Sequence, residues 1–342
     1  MTIRVGLIGT GYAAKKRAAA FMADERSEVV AIASQAPDRA QSFVQALIQN
    51  SAIESATPDI QIETDAIALI HRADIDLVVI TTENHLHGTL VRTALMTNKH
   101  VVVEYPLSLD VAEADALMAL AKRQQRLLHV EHIEVLSSIH VVLKNNLERI
   151  GTPSYGRYAS FKGERPAPEK WSYHGQKLGF PLMGALSRLN RLIDIFGSVA
   201  SINCHAQFWD KEGQVLPRSP ELTTFATMVC SAQMTFTSGM IAELVYGKGD
   251  RIWSRERVLD IHGSHGRIVL EPKGGTLILA EETHTLSVGS RRGLFAQDTA
   301  YVLDFLDKGT PIYITPEESI YALRVADAAR RSAEMGRTIT DI

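Results

Sequence analysis

Gly9-Thr10-Gly11-Tyr12-Ala13-Ala14 is the stretch that decides the fold of the first half of this 342-residue chain. It follows a short apolar run over residues 3–8 and opens an alanine-rich segment that predicts a helix over 13–23. The pattern G-x-G-x-x-A between a strand and a helix is typical of a turn that binds the pyrophosphate of a dinucleotide. Gly9 allows the tight turn, Gly11 lets the backbone approach the pyrophosphate at the helix N-terminus, and Ala14 permits close packing.

Predicted strands and helices alternate from this turn onward for about 130 residues, as in a doubly wound parallel sheet. The strands are predicted over 3–8, 29–34, 75–82, 101–104 and 127–130, and the helices over 13–23, 38–49, 90–97 and 111–125. The length of the chain favours two domains. We therefore predict an α/β N-terminal Rossmann domain over residues 1–130.

The pattern changes after residue 130, where most segments alternate in polarity. Strands are predicted over 154–162, 202–209, 223–231, 240–246, 258–262, 267–270 and 277–280, and helices over 133–148 and 181–196. Thr315, Pro316 and Glu318 predict a capped start of the last helix, and Gly336 its end. The sequence thus predicts an α+β C-terminal domain with a large, mostly antiparallel sheet over residues 131–342.

Composition excludes several classes of protein. The formal net charge is −3, so nothing favours nucleic acid or an anionic membrane as a partner. Cys204 and Cys230 are the two cysteines, which do not form a disulfide framework or a metal-binding spacing, and the cytoplasm is the expected compartment. The sequence has no stretch of about 18 consecutive apolar residues that would span a membrane.

The end of the second predicted strand indicates the preferred cofactor. NAD-binding domains place an acid there on the ribose hydroxyls, whereas this chain has Ser34-Gln35, with Arg39 shortly after. Lys15, Lys16 and Arg17 are also nearby. The absence of a carboxylate favours NADPH over NADH, although these cations are also consistent with a solvated helix face.

Two further segments follow predicted strand ends, namely Thr82-Glu83-Asn84-His85-Leu86-His87 and Glu104-Tyr105-Pro106. With the glycine turn, they resemble the glucose-fructose oxidoreductase / inositol dehydrogenase family. In sugar dehydrogenases of that family, a Lys, an Asp and a His perform acid/base chemistry at positions that match Tyr105, Ser187 and Arg191. These departures leave oxidation of a hydroxyl without a positioned base.

The chain is most similar to one branch of that family, the biliverdin reductases, and within it to the cyanobacterial type. The segments that carry this resemblance are 100–107, 128–134, 171–174, 179–181 with 187–189, and 289–295. The resemblance implies reduction of biliverdin to bilirubin, in which NADPH gives a hydride to the central methine carbon. A proton would reach a pyrrole nitrogen.

Arg188, Tyr105 and Glu131 are the candidate catalytic residues. Hydride addition puts negative charge on the tetrapyrrole, and a fixed guanidinium such as that of Arg188 would stabilise it. The alternative for Arg188 and for Arg191 is a surface salt bridge. Tyr105, with an ordinary pKa of about 10, is expected to contact substrate rather than to donate a proton, or to pack at the domain boundary.

A flat substrate with two propionates needs aromatic faces and cations at the rim of its site. The candidate substrate-binding residues are Arg191, His132, Trp171, Tyr173, Phe180, Lys248 and Arg292, with Arg251 and Arg291 in the same predicted turns as the last two. The candidate cofactor-binding residues are Gly9, Gly11, Tyr12, Ala14, Ser34, Arg39, Thr82, Asn84, His87 and Glu104, of which His87 is equally consistent with a structural role. No metal is expected, since His129-Val130-Glu131-His132 has a poor spacing for zinc.

Two other functions compete with this prediction. A sugar or cyclitol dehydrogenase of the same family would use the same fold, and a non-catalytic dinucleotide-sensing protein would bind NADPH without turnover. Monomer and homo-oligomer are both open, because an exposed sheet face in the second domain would suit a partner subunit.

Overall fold

The computed structural model describes residues 2–50, 59–217 and 223–342. Contacts divide the chain into two units, one of Met1–Glu131 with Arg292–Ile320 and the other of His132–Arg291 with Tyr321–Ile342. Residues 292–320 therefore group with the first unit, whereas the sequence prediction placed them in the C-terminal domain. None of the described helices is long and apolar enough to cross a membrane.

The first unit is built on a six-stranded parallel sheet of order β3-β2-β1-β4-β5-β6. Its strands are β1 (Ile3–Ile8), β2 (Ser27–Ala33), β3 (Gln61–Glu63), β4 (Leu77–Ile80), β5 (His100–Val103) and β6 (Leu128–Val130). Its helices are α1 (Tyr12–Met22), α2 (Pro37–Asn50), α3 (Ala66–His71), α4 (His87–Met96), α5 (Val111–Arg123) and α9 (Leu294–Lys308). The predicted Rossmann fold is confirmed.

The core of the first unit joins segments from both ends of the chain. Val5 and Leu7 of β1 and Phe21 of α1 are fully buried, and they share one apolar cluster with Val302 and Leu303 of α9. Full burial of a large apolar side chain contributes about 1.5–3 kcal/mol to folding. The late helix α9 is therefore part of the N-terminal core.

The second unit is built on a nine-stranded sheet of order β15-β14-β13-β12-β7-β11-β10-β8-β9. Its strands are β7 (Pro153–Gly163), β8 (Val199–Trp209), β9 (Val215–Leu216), β10 (Thr227–Phe236), β11 (Ile241–Gly249), β12 (Glu256–Gly263), β13 (Gly266–Glu271), β14 (Gly274–Leu279) and β15 (Thr283–Leu286). All neighbouring pairs are antiparallel except β7 and β11. The predicted large, mostly antiparallel sheet is confirmed.

The helices of this unit differ in detail from the prediction. They are α6 (Ser138–Leu147), α7 (Gly175–Leu178) and α8 (Leu186–Phe196), and α10 (Pro316–Met335) continues from the first unit. The helix predicted over 133–148 is interrupted at Ser137, whose hydroxyl donates to the carbonyl oxygen of Glu134. The helix predicted over 181–196 begins as a 3₁₀ turn, Pro181–Ala185, and ends at Gly197, which has a positive φ of 85°.

The predicted start of the last helix is confirmed. The Glu318 carboxylate accepts hydrogen bonds from the backbone and hydroxyl of Thr315, and the Glu318 amide donates to that hydroxyl. These reciprocal bonds satisfy amides that the first helical turn leaves without partners.

Candidate functional site

The glycine turn between β1 and α1 has the form that a pyrophosphate site requires. Gly9 has φ of +114°, and a Cβ there would lie 2.7 Å from the carbonyl oxygen of Thr81, so only glycine fits. A Cβ on Gly11 would meet no described atom within 4 Å, which leaves open space before the α1 N-terminus. Ala14 is fully buried, whereas Tyr12 is 74% exposed. The turn therefore fits the diphosphate of a dinucleotide.

The residues after β2 fit a ribose that carries a phosphate. Ser34 is half-buried, and its hydroxyl accepts from the Ala36 amide at 3.3 Å. Arg39 is exposed and has no ion pair with any residue that the structure describes. Of the neighbouring cations, Lys15 and Lys16 are exposed, but Arg17 is fully buried and ion-paired, which removes it from the cations available to a phosphate.

The loops after β4 and β5 are joined by His87. Its Nδ1 lies 2.7 Å from the carbonyl oxygen of Pro106, and its Nε2 lies 3.2 Å from that of Thr82. Burial lowers the pKa of the His87 imidazole, and a neutral ring donates to only one of these two carbonyl oxygens. Asn84 is also buried, whereas Thr82 is half-buried. His87 thus fixes the shape of these two loops.

Glu104 belongs to a buried charge network within the first unit. Arg17 donates to Glu104 Oε1 at 3.0 Å and forms an ion pair with Asp298 of α9. Asp298 Oδ1 also accepts from His129 at 2.8 Å and from the Tyr313 hydroxyl at 2.5 Å. Burial alone would raise the pKa of the Asp298 carboxyl, but the charges of Arg17 and His129 outweigh it and hold that pKa well below its usual range.

The other candidates at the strand ends differ in exposure. Tyr105 beside Glu104 is half-buried, whereas Glu131 is 2% exposed and His132 is fully buried. No group of three or more His, Cys, Asp or Glu side chains suited to a metal ion occurs in the described parts of the chain.

Arg188 on α8 is held by the sheet of the second unit. Its Nε–H donates to the Ser160 hydroxyl of β7 at 3.0 Å, and its guanidinium carbon lies 5.3 Å from the ring centroid of Tyr246 on β11. Ser160 and Tyr246 are register partners, so they share one face of the sheet. Within the described ranges, the terminal nitrogens of Arg188 donate to no protein group. The half-buried guanidinium is thus fixed with free donors.

Arg191, one turn further along α8, is enclosed by protein. It is fully buried, and it donates to the Tyr158 hydroxyl at 2.7 Å, to the Ser137 hydroxyl at 2.8 Å and to the Glu134 carboxylate at 2.9 Å. Burial lowers the pKa of the Arg191 guanidinium. Because Arg191 has no exposed surface in this conformation, its guanidinium binds neighbouring protein groups and not a ligand.

Glu134 is shared by three guanidiniums. Besides Arg191, its carboxylate accepts from Arg257 of β12 at 2.8 Å and from Arg291. Glu134 is 4% exposed, so the carboxylate is screened little by water. We call Glu134, Tyr158, Arg188, Arg191, Arg257 and Arg291 the arginine cluster.

The aromatic candidates lie in short helical turns of the second unit. Trp171 and Phe180 are half-buried, but Tyr173 is 3% exposed and its hydroxyl donates to Glu164 at 2.7 Å. Lys248 lies within β11 rather than in the predicted turn. It is 5% exposed, donates to the carbonyl oxygen of Ser172 and lies 4.4 Å from the Tyr173 ring centroid.

The remaining candidate cations have other surroundings than Lys248. Arg292 is exposed and groups with the first unit. Arg251 donates to the carbonyl oxygen of Gly213 at 3.0 Å, and Arg291 is part of the arginine cluster.

The sequence analysis missed Glu134, Ser160, Tyr246, Arg257 and Asp298. Alternation within the predicted strand 154–162 would have placed Tyr158 and Ser160 on one face. No local pattern indicates the others, which reach their partners across long separations in sequence.

Models of one oxidoreductase family, GFO/IDH/MocA, match nearly the whole chain. The model described as an NAD-binding Rossmann fold matches residues 3–132, and that described as a C-terminal alpha/beta domain matches residues 144–340. This chain belongs to that family. The resemblance predicted from the glycine turn and the strand ends is thereby confirmed.

Three of the proteins similar to this chain are biliverdin reductases. The crystal structure of biliverdin reductase from Synechocystis sp. PCC 6803, in complex with biliverdin and NADP+, is 40% identical with a TM-score of 0.88, and the match covers 97% of this chain and 99% of that one. Biliverdin reductase A of Mus musculus is 34% identical over 151 residues, which are 44% of this chain and 48% of the relative. That of Homo sapiens is 31% identical over 130 residues, 38% and 41% respectively. The matches to the two mammalian enzymes thus span less than half of their length.

Proposed function

We propose that this protein reduces biliverdin to bilirubin with NADPH. The observation that carries the proposal is the 40% identity, over nearly the full length of both chains, to a reductase whose crystal structure holds biliverdin and NADP+. The replacement of the acid/base groups of sugar dehydrogenases by Tyr105, Ser187 and Arg191 supports it. Free Cys204 and Cys230 suit a reducing cytoplasm.

The first unit binds the dinucleotide in this proposal. The open space before Gly11 receives the pyrophosphate, and Arg39 pairs with a 2′-phosphate that no carboxylate at Ser34-Gln35 repels. When bound, NADPH supplies the hydride for the central methine carbon of the substrate. The loops fixed by His87 hold Thr82 and Asn84 at the strand ends, where ligands bind in open α/β sheets.

The second unit supplies the cation that the reaction needs. Hydride addition makes the conjugated tetrapyrrole negative, and the terminal nitrogens of Arg188 donate hydrogen bonds that stabilise this charge as it develops. Ser160 and Tyr246 fix the guanidinium beforehand, so little reorganisation accompanies the step. The methine carbon gains the hydride and a pyrrole nitrogen gains a proton from water, while Arg188 stays protonated and stabilises the charge.

Other side chains contact the substrate in this proposal. Tyr105, Trp171 and Phe180 are half-buried and offer ring faces to the flat tetrapyrrole, and exposed Arg292 pairs with a propionate. Glu131 and His132 are buried and keep the loop after β6 in place.

The test is to mix the purified protein with biliverdin and NADPH and to follow the visible spectrum. Conversion of the green biliverdin band to the yellow bilirubin band supports the proposal. Arg188→Ala is expected to lower kcat by about 100-fold or more, as does loss of one donor to a developing charge elsewhere. The matched control is Arg267→Ala, which removes a surface arginine paired with Asp260.

The competing functions predict other results. An unchanged spectrum while NADPH binds, together with oxidation of a sugar or cyclitol, would identify a dehydrogenase. Binding of NADPH without hydride transfer in a single turnover would identify a sensing protein.

A further inference from the structure

Tyr158 is a buried phenol whose surroundings are unusually cationic. It lies on β7, is 1% exposed, and its oxygen accepts the Arg191 hydrogen bond at 2.7 Å. Within the described ranges, no group accepts the proton of this phenol in a hydrogen bond. A buried phenol that accepts from a cation and donates to nothing has an environment better suited to a phenolate.

Three guanidiniums act on Tyr158, and a fourth binds the carboxylate that two of them share. Arg188 and Arg191 come from α8, Arg257 from β12 and Arg291 from the segment after β15, and the carboxylate is that of Glu134. The neighbouring groups on β7 and β11 are the uncharged Ser160 and Tyr246. His140 of α6 faces Arg191, and burial lowers its pKa, while its partner Asp194 also pairs with Lys144. The arginine cluster therefore has an excess of positive charge.

This excess determines how Tyr158 titrates. Burial would raise the pKa of the phenol, but Arg191, Arg257 and Arg188 outweigh burial and lower the pKa below the ordinary tyrosine value of 10.0. Two other phenols of this unit behave in the opposite way, because burial raises the pKa of Tyr173 and of Tyr246.

We propose that Tyr158 is a positioning residue that controls the net charge around Arg188. As the pH rises, the phenol loses its proton to solvent and becomes a second anion of the arginine cluster. This inference deepens the proposed function and rests on it. The neutral phenol leaves the full positive field for the negative charge that hydride addition creates. The phenolate cancels part of that field and holds the arginines more tightly, so the step slows.

The first experiment needs no substrate. The full chain is titrated with base, and the near-ultraviolet phenolate band is followed. We expect the phenolate band of the wild type and of Tyr155→Phe to begin to grow at lower pH than that of Tyr158→Phe, by the absorbance of about one tyrosine. Tyr155 is the matched control because it lies on the same strand, and burial and Glu243 raise its pKa. Superimposed titrations of the wild type and Tyr158→Phe below pH 10.0 would overturn the proposal.

A second variant keeps the phenol in case Tyr158→Phe does not fold. Arg257→Gln removes one guanidinium from the arginine cluster, so the phenolate band is expected to move to higher pH by about one unit. An unmoved band would show that the arginines do not control Tyr158, and would contradict the proposal.

The final measurement is the pH profile of kcat for biliverdin reduction. The alkaline fall is expected to move to higher pH by about one unit or more in Tyr158→Phe. An unmoved alkaline fall would overturn the positioning role. If no protein reduces biliverdin, the proposed function fails, and the phenolate titration still decides whether Tyr158 is the ionising group.

Discussion

Arg17 of α1 and Asp298 of α9 form an ion pair in which both side chains are fully buried, although 281 positions separate them in sequence. Glu104, His129 and Tyr313 add further hydrogen bonds to this pair. A buried charge that loses its partner is costly, since water cannot replace the lost interaction. The pair therefore ties α9 to the N-terminal core.

Asp298→Asn is expected to lower the free energy of unfolding by about 3–5 kcal/mol, the effect of breaking a buried ion pair. Urea unfolding at constant pH measures it. Asp304→Asn on the same helix removes a half-exposed partner of Arg26 and is expected to cost about 1 kcal/mol or less. Equal effects of the two variants would show that the buried network does not stabilise α9.

Substitution of each glycine of the turn by alanine is expected to have a different effect on stability and on NADPH binding. Gly9→Ala forces a Cβ against the Thr81 backbone at positive φ, which costs about 1–3 kcal/mol of stability. In Gly11→Ala the methyl group meets no protein atom, so stability should change by about 0.5 kcal/mol or less. The methyl group would occupy the pyrophosphate position, so NADPH binding should weaken at least about tenfold. Thermal unfolding and calorimetric titration separate the two effects. Unaltered NADPH affinity of Gly11→Ala would exclude this turn as the pyrophosphate site.

Arg39→Ala is expected to change cofactor choice without changing stability. A hydrogen bond to a charged group is worth about 1.5–3 kcal/mol, so NADPH affinity should fall about tenfold or more while NADH affinity is unchanged. Arg92→Ala on α4, an arginine of 42% side-chain exposure, is the control. Parallel losses for both cofactors would contradict a contact with the 2′-phosphate.

Lys248 is expected to give stability a distinct pH dependence. Burial lowers its pKa to about 7 from 10.5, so between these values the unfolded chain binds one more proton than the fold. The unfolding free energy should therefore rise with pH across this window, by at most about 1.4 kcal/mol per pH unit, and the ammonium's attraction to the Tyr173 ring reduces the slope.

Lys248→Met should lose that slope, whereas the exposed control Lys273→Met should keep it. Urea unfolding at several pH values between 7 and 10.5 provides the measurement. A slope that persists in Lys248→Met would assign it to another group.

Local sequence patterns predicted those parts of the fold that depend on residues close together in the sequence. The turn from Gly9 to Ala14 and the cap at Thr315 each depend on a few consecutive residues. The helix α9 was missed, because its charged contact with Arg17 and its apolar contacts with β1 and α1 come from the other end of the chain.

Only part of the candidate site was predicted from the sequence, for the same reason. The choice of Arg188 followed from a resemblance, and its role remains a prediction. The residues that hold its guanidinium are distant in sequence: Ser160 lies 28 positions away, and Tyr246 lies further. Glu134 meets Arg257 and Arg291 across 123 and 157 positions. Hydrophobic periodicity identifies which strand face is buried, but not which charges lie together on it.

The two-part composition of the first unit has a consequence during protein synthesis. Residues 1–131 leave the ribosome without α9, so Arg17 has no Asp298 and the apolar cluster lacks Val302 and Leu303. At roughly 5–20 residues per second, the missing helix follows about 8–35 s later. During that time, of its described ion-pair partners Arg17 has only Glu104, and the apolar core is open, until the last fifth of the chain is synthesised. Chaperone binding during translation would be most useful in this interval.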